Sequence, residues 1–149
     1  MAESYTVHLA AGPDDVAACY AVRHEVFVIG QAVPVEIERD ELDEAADHAV
    51  AVDADGAVVG TGRLVSRPDR VGVVGRMAVL PAVRGRGVGA AVLGRLEAAA
   101  AERGLVTVEL HAQRHAEGFY ARLGYAAYGE PFDEAGIEHV HMRKALPRG

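Results

Sequence analysis

The chain has 149 residues, half of them hydrophobic, and its 15 Lys and Arg against 22 Asp and Glu give a formal net charge of −7. This length suits one domain spanning residues 1–149, and the acidic balance argues against nucleic acid as a partner. No apolar run is long enough to cross a membrane, no secretory signal is visible and the single Cys19 excludes an internal disulfide, so we expect a cytoplasmic protein without a membrane partner.

The first half of the chain predicts a strand, a helix and a hairpin. Polar and apolar residues alternate over residues 5–10, as in a strand. Pro13 and the acids that follow it mark the start of a helix that runs to about Val28. Residues 36–47 contain seven acids and one arginine, and we expect an acidic loop that includes a short helix. Strands follow at residues 48–52 and 57–65, joined by a turn that ends at Gly56.

The stretch from Val73 to Gly104 organises the chain. It predicts a buried strand over residues 71–80, a glycine-rich turn with two arginines, and a helix that ends near Gly104. A strand, a glycine loop and a helix N-terminus together present backbone N–H groups to a phosphate. The loop lacks the Gly-Lys-Ser/Thr ending of the Walker loop, and the alternating Gly85, Gly87 and Gly89 do not have the spacing of the dinucleotide-binding fingerprint.

The last third predicts a strand at 106–112, a short helix at 116–123, and closing strands at 125–131 and 138–145. We see no repeat, linker or Cys/His spacing typical of zinc, and we expect no metal. The order of elements predicts an α/β (α+β) fold with helices on both faces of a sheet.

Three motifs resemble one enzyme superfamily. The glycine loop Arg84-x-x-Gly87-x-Gly89, after Met77-Ala78-Val79, resembles the acetyl-CoA pyrophosphate loop of the GNAT N-acetyltransferases. Phe119-Tyr120-x-x-x-Gly124-Tyr125 resembles their tyrosine helix. His111-Ala112-Gln113 and Gly136-Ile137-x-His139 resemble the ElaA-like branch of the superfamily.

The resemblance implies a GNAT fold, with a mixed sheet of six to seven strands splayed between the fourth and fifth strands and flanked by about four helices. It implies an acyltransferase that uses acetyl-CoA as acyl donor, and a homodimer is compatible with it. The implied cofactor-binding residues are Met77, Ala78, Val79, Arg84, Gly85, Arg86, Gly87, Val88, Gly89, Phe119 and Tyr120.

Catalysis on an amine needs a base and a stabilised leaving group. The resemblance implies that Tyr120 points at the cofactor sulfur and gives its proton to the departing thiolate. The alternative is that Phe119 and Tyr120 are core aromatics, with the Tyr120 hydroxyl bonded to a carbonyl. For the base, His111 and His139 are the leading catalytic candidates. Other candidates are Glu109, His141 and the acids of residues 36–43.

The acceptor is expected to be a primary amine of a small molecule or peptide. The acidic segment could attract a cationic amine, whereas the arginines beside the glycine loop suit a polyanionic cofactor. Two alternatives remain open: a sensor that binds acyl-CoA without turnover, and a transferase for another donor such as succinyl-CoA, for which Arg76 or Arg114 would supply the cation.

Overall fold

A seven-stranded mixed sheet with strand order β1-β2-β3-β4-β5-β7-β6 forms the centre of the computed structural model, which describes residues 4–147. The strands are β1 (Thr6–Leu9), β2 (Asp47–Val52), β3 (Val58–Ser66), β4 (Val71–Val79), β5 (Thr107–Gln113), β6 (Ala126–Glu134) and β7 (Ile137–Ala145). The α-helices are α1 (Pro13–Arg23), α2 (Val35–Glu38), α3 (Val88–Glu102) and α4 (Glu117–Arg122). The predicted α/β fold class, with six to seven strands and four helices, is confirmed.

The fourth and fifth strands separate as predicted. β4 and β5 pair in parallel only from Val71 opposite Thr107 to Val74 opposite Leu110. Beyond this point β4 continues along β3, whereas β5 continues along β7 as far as Gln113. A bulge lies where the separation begins, because two residues of β4, Arg76 and Met77, stand opposite one residue of β3. The sheet therefore opens into a cleft between two of its central strands.

Helices cover the sheet on both faces. The apolar positions of α3 include Val88, Val92 and Leu96, which are four residues apart, and all three are buried in the main core against β2, β3 and β4. On the opposite face α1 lies over β2, β3 and β4, where Cys19 and Val22 are buried. Within residues 4–147, no helix combines the length and the apolar character that a bilayer crossing requires.

The predicted first helix differs from the observed one at its end. α1 stops at Arg23, and the chain continues as a π-helical turn over His24–Ile29 rather than as α-helix to Val28. A π turn holds an extra residue and changes which side chains face inward. Here it lets both Val26 and Phe27 face the cleft. A single inserted residue leaves little trace in apolar periodicity, so the sequence could not reveal it.

Candidate functional site

A cavity of about 970 Å³ lies where β4 and β5 separate. One wall is formed by β4 at Met77, Ala78 and Val79, which are three of the predicted cofactor-binding residues. His111 of β5 and Tyr120 of α4 line it from the other side. The cleft thus brings together the predicted cofactor strand, the predicted acid and one predicted base.

The glycine loop leads directly into the N-terminus of α3. Gly85 and Gly87 have φ angles of +81° and +82°, a region that side chains other than glycine disfavour. Gly87 caps α3 without a side-chain hydrogen bond, so the first N–H groups of a 15-residue helix remain for an anion. The loop therefore fits the pyrophosphate group that the sequence assigned to it.

Other residues of the loop have different surroundings. The Val88 side chain is buried in the core, whereas Arg86 is exposed. A Cβ atom at Gly89 would lie 3.3 Å from Cζ of Phe119. Glycine at this position therefore lets the Phe119 ring approach α3, a structural reason that the sequence did not indicate.

Arg84 folds back onto the end of β4. Its Nε atom donates a hydrogen bond of 3.0 Å to the carbonyl oxygen of Val79. Val79 is one of the residues expected to bind the cofactor, and its carbonyl oxygen has a second lone pair for another donor. Arg84 therefore fixes the strand end next to the glycine loop in addition to adding positive charge there.

Tyr120 is buried, with a side chain only 8% exposed, and its ring lies among those of Phe119 and Tyr125 at centroid distances of 5.0 and 6.1 Å. Its hydroxyl group makes no hydrogen bond to any of residues 4–147, so the carbonyl bond of the core alternative does not form. Burial raises the pKa of Tyr120 to about 12. The phenol is therefore neutral at physiological pH and available to a ligand.

Glu134 lies next to both leading base candidates, His111 and His139. Its Oε1 atom lies 3.0 Å from Nδ1 of His111, and its Oε2 atom lies 3.7 Å from Nε2 of His139. The hydrogen bond from His111 holds the pKa of Glu134 below its usual range, although burial opposes this shift. A carboxylate only accepts, so Nδ1 of His111 carries the proton and Nε2 keeps a free lone pair.

His139 is oriented by a different contact. It is 6% exposed, and its Nδ1 atom donates to the carbonyl oxygen of Ile137 at 2.7 Å. Both His111 and His139 line the cavity. The structure thus brings the two histidines together around one carboxylate, with His111 the more accessible of the two.

The remaining base candidates are engaged elsewhere. Glu109 pairs with Arg67 at 3.0 Å, and His141 is stacked between Tyr128 and Phe132. Neither Glu109 nor His141 lines the cavity. Among residues 4–147 no group of three or more His, Cys, Asp or Glu side chains is placed to hold a metal ion.

The acidic segment is largely a structural network. Arg23, buried at the end of α1, binds Glu38 at 2.6 Å and Asp43 at 2.7 Å. Arg63 of β3 binds Asp43 at 2.9 Å and Asp40 at 2.7 Å. Burial alone would raise the pKa of Asp43, but hydrogen bonds from Arg23 and Arg63 hold this pKa far below its usual range. These acids therefore hold α2 against α1 and the sheet.

Arg76 and Arg114, the cations considered for another acyl donor, lie in different places. Arg76 lines the cavity and donates from Nε to the carbonyl oxygen of Glu38 at 2.9 Å. Burial and the neighbouring Arg63 lower its pKa. Arg114 is half-exposed near Glu117 and Glu138 and does not line the cavity.

Two features of the site were missed by sequence reasoning. Glu134 was not among the predicted catalytic residues, because only the strand order brings it to His111. Gln31 and Gln113 exchange two side-chain hydrogen bonds of 3.0 and 2.9 Å. They connect the segment after α1 to the end of β5 across the cavity that both residues line. No local signal marks a pair 82 positions apart.

Known proteins are similar to this chain in sequence and in fold. The acetyltransferase (GNAT) domain family matches residues 10–146. The uncharacterized N-acetyltransferase YjcF of Bacillus subtilis (strain 168) is 39% identical over 137 residues, which cover 91% of this chain and 96% of YjcF.

Solved structures agree with this match. An acyl-CoA N-acyltransferase from Pseudomonas aeruginosa is 32% identical with a TM-score of 0.82, covering 96% of this chain and 99% of that one. Escherichia coli ElaA shares the fold with a TM-score of 0.81 at 24% identity, covering 95% and 99%. The predicted superfamily is thus confirmed, and the chain belongs to the acetyltransferase (GNAT) domain family and is an acyltransferase.

Proposed function

We propose that the chain transfers the acetyl group of acetyl-CoA directly to a primary amine. The observation that carries this proposal is that the unpartnered Tyr120 hydroxyl and the His111–Glu134 pair line one cavity beside the N-terminus of α3. A leaving-group stabiliser, a base and an anion-binding loop are the three groups that direct acyl transfer to an amine requires.

Acetyl-CoA, when bound, supplies the acetyl group as a thioester. The N–H groups at the start of α3 would hold its pyrophosphate, and β4 would orient its pantetheine arm as an added strand does. The bond that forms joins the amine nitrogen to the acetyl carbon, and the bond that breaks joins that carbon to sulfur. The Nε2 atom of His111 accepts the proton that the amine loses.

Glu134 makes His111 a better base than His139. It binds Nδ1–H of His111 at 3.0 Å and thereby stabilises the imidazolium that forms when Nε2 takes a proton. His139 is more deeply buried and lies farther from the carboxylate, at 3.7 Å. We therefore assign the base to His111, with His139 beside it as a second imidazole on the same carboxylate.

Tyr120 is better suited to stabilising the leaving thiolate than to protonating it. A thiol has a pKa near 8.5, whereas burial raises the pKa of Tyr120 to about 12. Full proton transfer from this phenol to the thiolate would therefore be unfavourable by roughly three orders of magnitude. A hydrogen bond from the neutral phenol to the sulfur stabilises the developing charge without that cost.

The decisive experiment measures thiol release from acetyl-CoA with pooled amines, together with the melting temperature with and without acetyl-CoA. We expect release above the no-amine background, lost in His111→Ala and retained in His24→Ala, an exposed histidine outside the cavity. A melting temperature that rises with acetyl-CoA without release from any amine would favour a sensor. Neither stabilisation nor release would overturn the cofactor assignment.

A further inference from the structure

We infer that the acceptor is a primary amine on an uncharged, largely apolar body, rather than a polyamine or an aminoglycoside. The inference rests on the proposed function and names the substrate class of the same cavity. It reverses the expectation that the acidic segment selects cationic amines.

The end of the cavity away from the glycine loop carries an apolar surface beside Arg63, Arg67 and Arg76. Val65 of β3 and Val73 of β4 are a cross-strand pair on one face of the sheet and form its floor. Phe27 of the π turn, Ile37 of α2 and Leu42 form the adjoining wall. We call these five residues the acceptor pocket. His111 lines the same cavity, so an amine held on this surface can approach the base.

Two side chains of the acceptor pocket are exposed although they are large and apolar. Ile37 is 51% and Leu42 is 44% exposed, and both line the cavity. Covering such surface with an apolar group is favourable, and covering it with a hydrated cation is not. An apolar acceptor therefore gains binding energy from two residues that the folded chain leaves exposed.

The carboxylates that line the cavity are already paired. Glu38 is held by Arg23 at 2.6 Å, Asp40 by Arg63 at 2.7 Å, and Glu134 by His111 at 3.0 Å. A second ammonium group on the acceptor would have to displace one of these contacts or stay unpaired on an apolar wall. Both alternatives are costly, so the cavity disfavours a polycation.

The proton that the attacking nitrogen loses has an acceptor in the cavity. An amine that has left its ammonium proton in solvent attacks as the neutral base, and Nε2 of His111 accepts the proton that the nitrogen gives up as the N–C bond forms. Among residues 4–147, Glu134 and His141 are the ionisable groups in contact with His111, and Glu134 also lies near His139 and Arg76. A monoamine therefore brings no second ammonium group that the cavity would have to pair.

Two readouts test this inference. The first is binding of amines to the protein saturated with coenzyme A, followed by calorimetry, and the second is thiol release from acetyl-CoA. Hexylamine and 2-phenylethylamine are compared with spermidine and kanamycin. We expect both apolar amines to bind about tenfold more tightly and to have kcat/KM values about tenfold higher than the polycations.

Variants of the acceptor pocket sharpen the test. Leu42→Asp and Ile37→Asp should lower kcat/KM for 2-phenylethylamine about five- to tenfold, mainly through KM, because an apolar contact is replaced by a charge. Ile29→Asp is the matched control. Ile29 belongs to the π turn that carries Phe27 and is 71% exposed, but it does not line the cavity, so we expect no change.

The outcomes separate the two proposals. Turnover that is faster with spermidine or kanamycin overturns the inference and leaves the transferase intact. Tight binding of the apolar amines without any turnover supports the acceptor pocket and overturns the transferase. If no amine binds and none is acetylated, both proposals fail. An equal loss in Ile29→Asp and Leu42→Asp also overturns the inference, since the pocket would then have no special role.

Discussion

His111 and Glu134 lie 3.0 Å apart, from Nδ1 to Oε1, although they belong to strands that are not neighbours. His111 is on β5 and Glu134 is the last residue of β6, and β7 lies between these strands. His139 of β7 is 3.7 Å from the same carboxylate. One side chain thus joins three strands at the edge of the cavity, and its charge acts on both histidines.

Glu134→Gln should lower kcat about 100-fold, at the low end of general base effects. Glutamine keeps an oxygen that can accept from His111, but it has no charge to stabilise the imidazolium. In the wild-type protein the hydrogen bond from His111 holds the pKa of Glu134 low. The carboxylate is therefore ionised from roughly pH 6 to pH 9, and no limb of the rate profile in that range should belong to it.

Glu138→Gln is the control for this substitution. Glu138 belongs to the same hairpin, is 58% exposed and lies 3.8 Å from Arg114 in an ion pair. Steady-state rates across the pH range should match the wild type in Glu138→Gln. Partial recovery of kcat in Glu134→Asp would point to the charge. A full rate in Glu134→Gln would show that His111 needs no carboxylate and would remove Glu134 from the mechanism.

Tyr120→Phe should lower kcat about 10- to 100-fold, the value of one hydrogen bond to a charged group. Binding of coenzyme A, measured by calorimetry, should hardly change because the ring remains. Because burial raises the pKa of Tyr120 to about 12, its ionisation should not appear in the wild-type rate profile below about pH 10. Tyr128 is stacked on His141 and does not line the cavity. Tyr128→Phe should therefore leave kcat unchanged. Equal rates in Tyr120→Phe and wild type would exclude the assigned role.

Gly87→Glu should abolish coenzyme A binding while the protein stays folded. Gly87 and Gly104 flank α3, have φ angles of +82° and +73°, and have open space around a built Cβ atom. A glutamate at either position should therefore lower the free energy of unfolding by a similar amount, about 1–2 kcal/mol. Only the charge at position 87 faces the helix N-terminus. If Gly104→Glu also lost binding in calorimetry, general destabilisation would explain both variants.

The sequence predicted most of the sheet because its signals are local. The glycine loop, the apolar face of α3 and the hairpin turn at Gly56 each follow from residues close together in the chain. The parallel pairing of β4 with β5 and its early end followed from the family resemblance. The local signals and the resemblance together predicted that Met77, His111 and Tyr120 belong to one site.

The remaining parts of the site depend on contacts between distant segments. The acids of residues 36–47 suggested an open surface for cations, but Glu38 and Asp43 are 3% and 4% exposed because Arg23 and Arg63 bind them. A count of charges along the chain cannot show which of them are paired. The same limit applies to Glu134, whose distance from His111 depends on strand order rather than on spacing in the sequence.

Asp43 should make the stability of the protein depend on acidic pH. Its pKa lies below the ordinary value, so its contribution is complete above about pH 4 and is lost as the pH falls toward the folded pKa. Urea unfolding of the wild type should therefore show falling stability from about pH 4 to pH 2. Asp43→Asn should lower the free energy of unfolding by about 3–5 kcal/mol at pH 7, because Arg23 is left buried with one partner fewer. Further acidification should lower the stability of this variant less than that of the wild type. Asp69→Asn, in the exposed pair with Arg67, should resemble the wild type throughout. An acid dependence as steep in Asp43→Asn as in the wild type would show that other carboxylates control it.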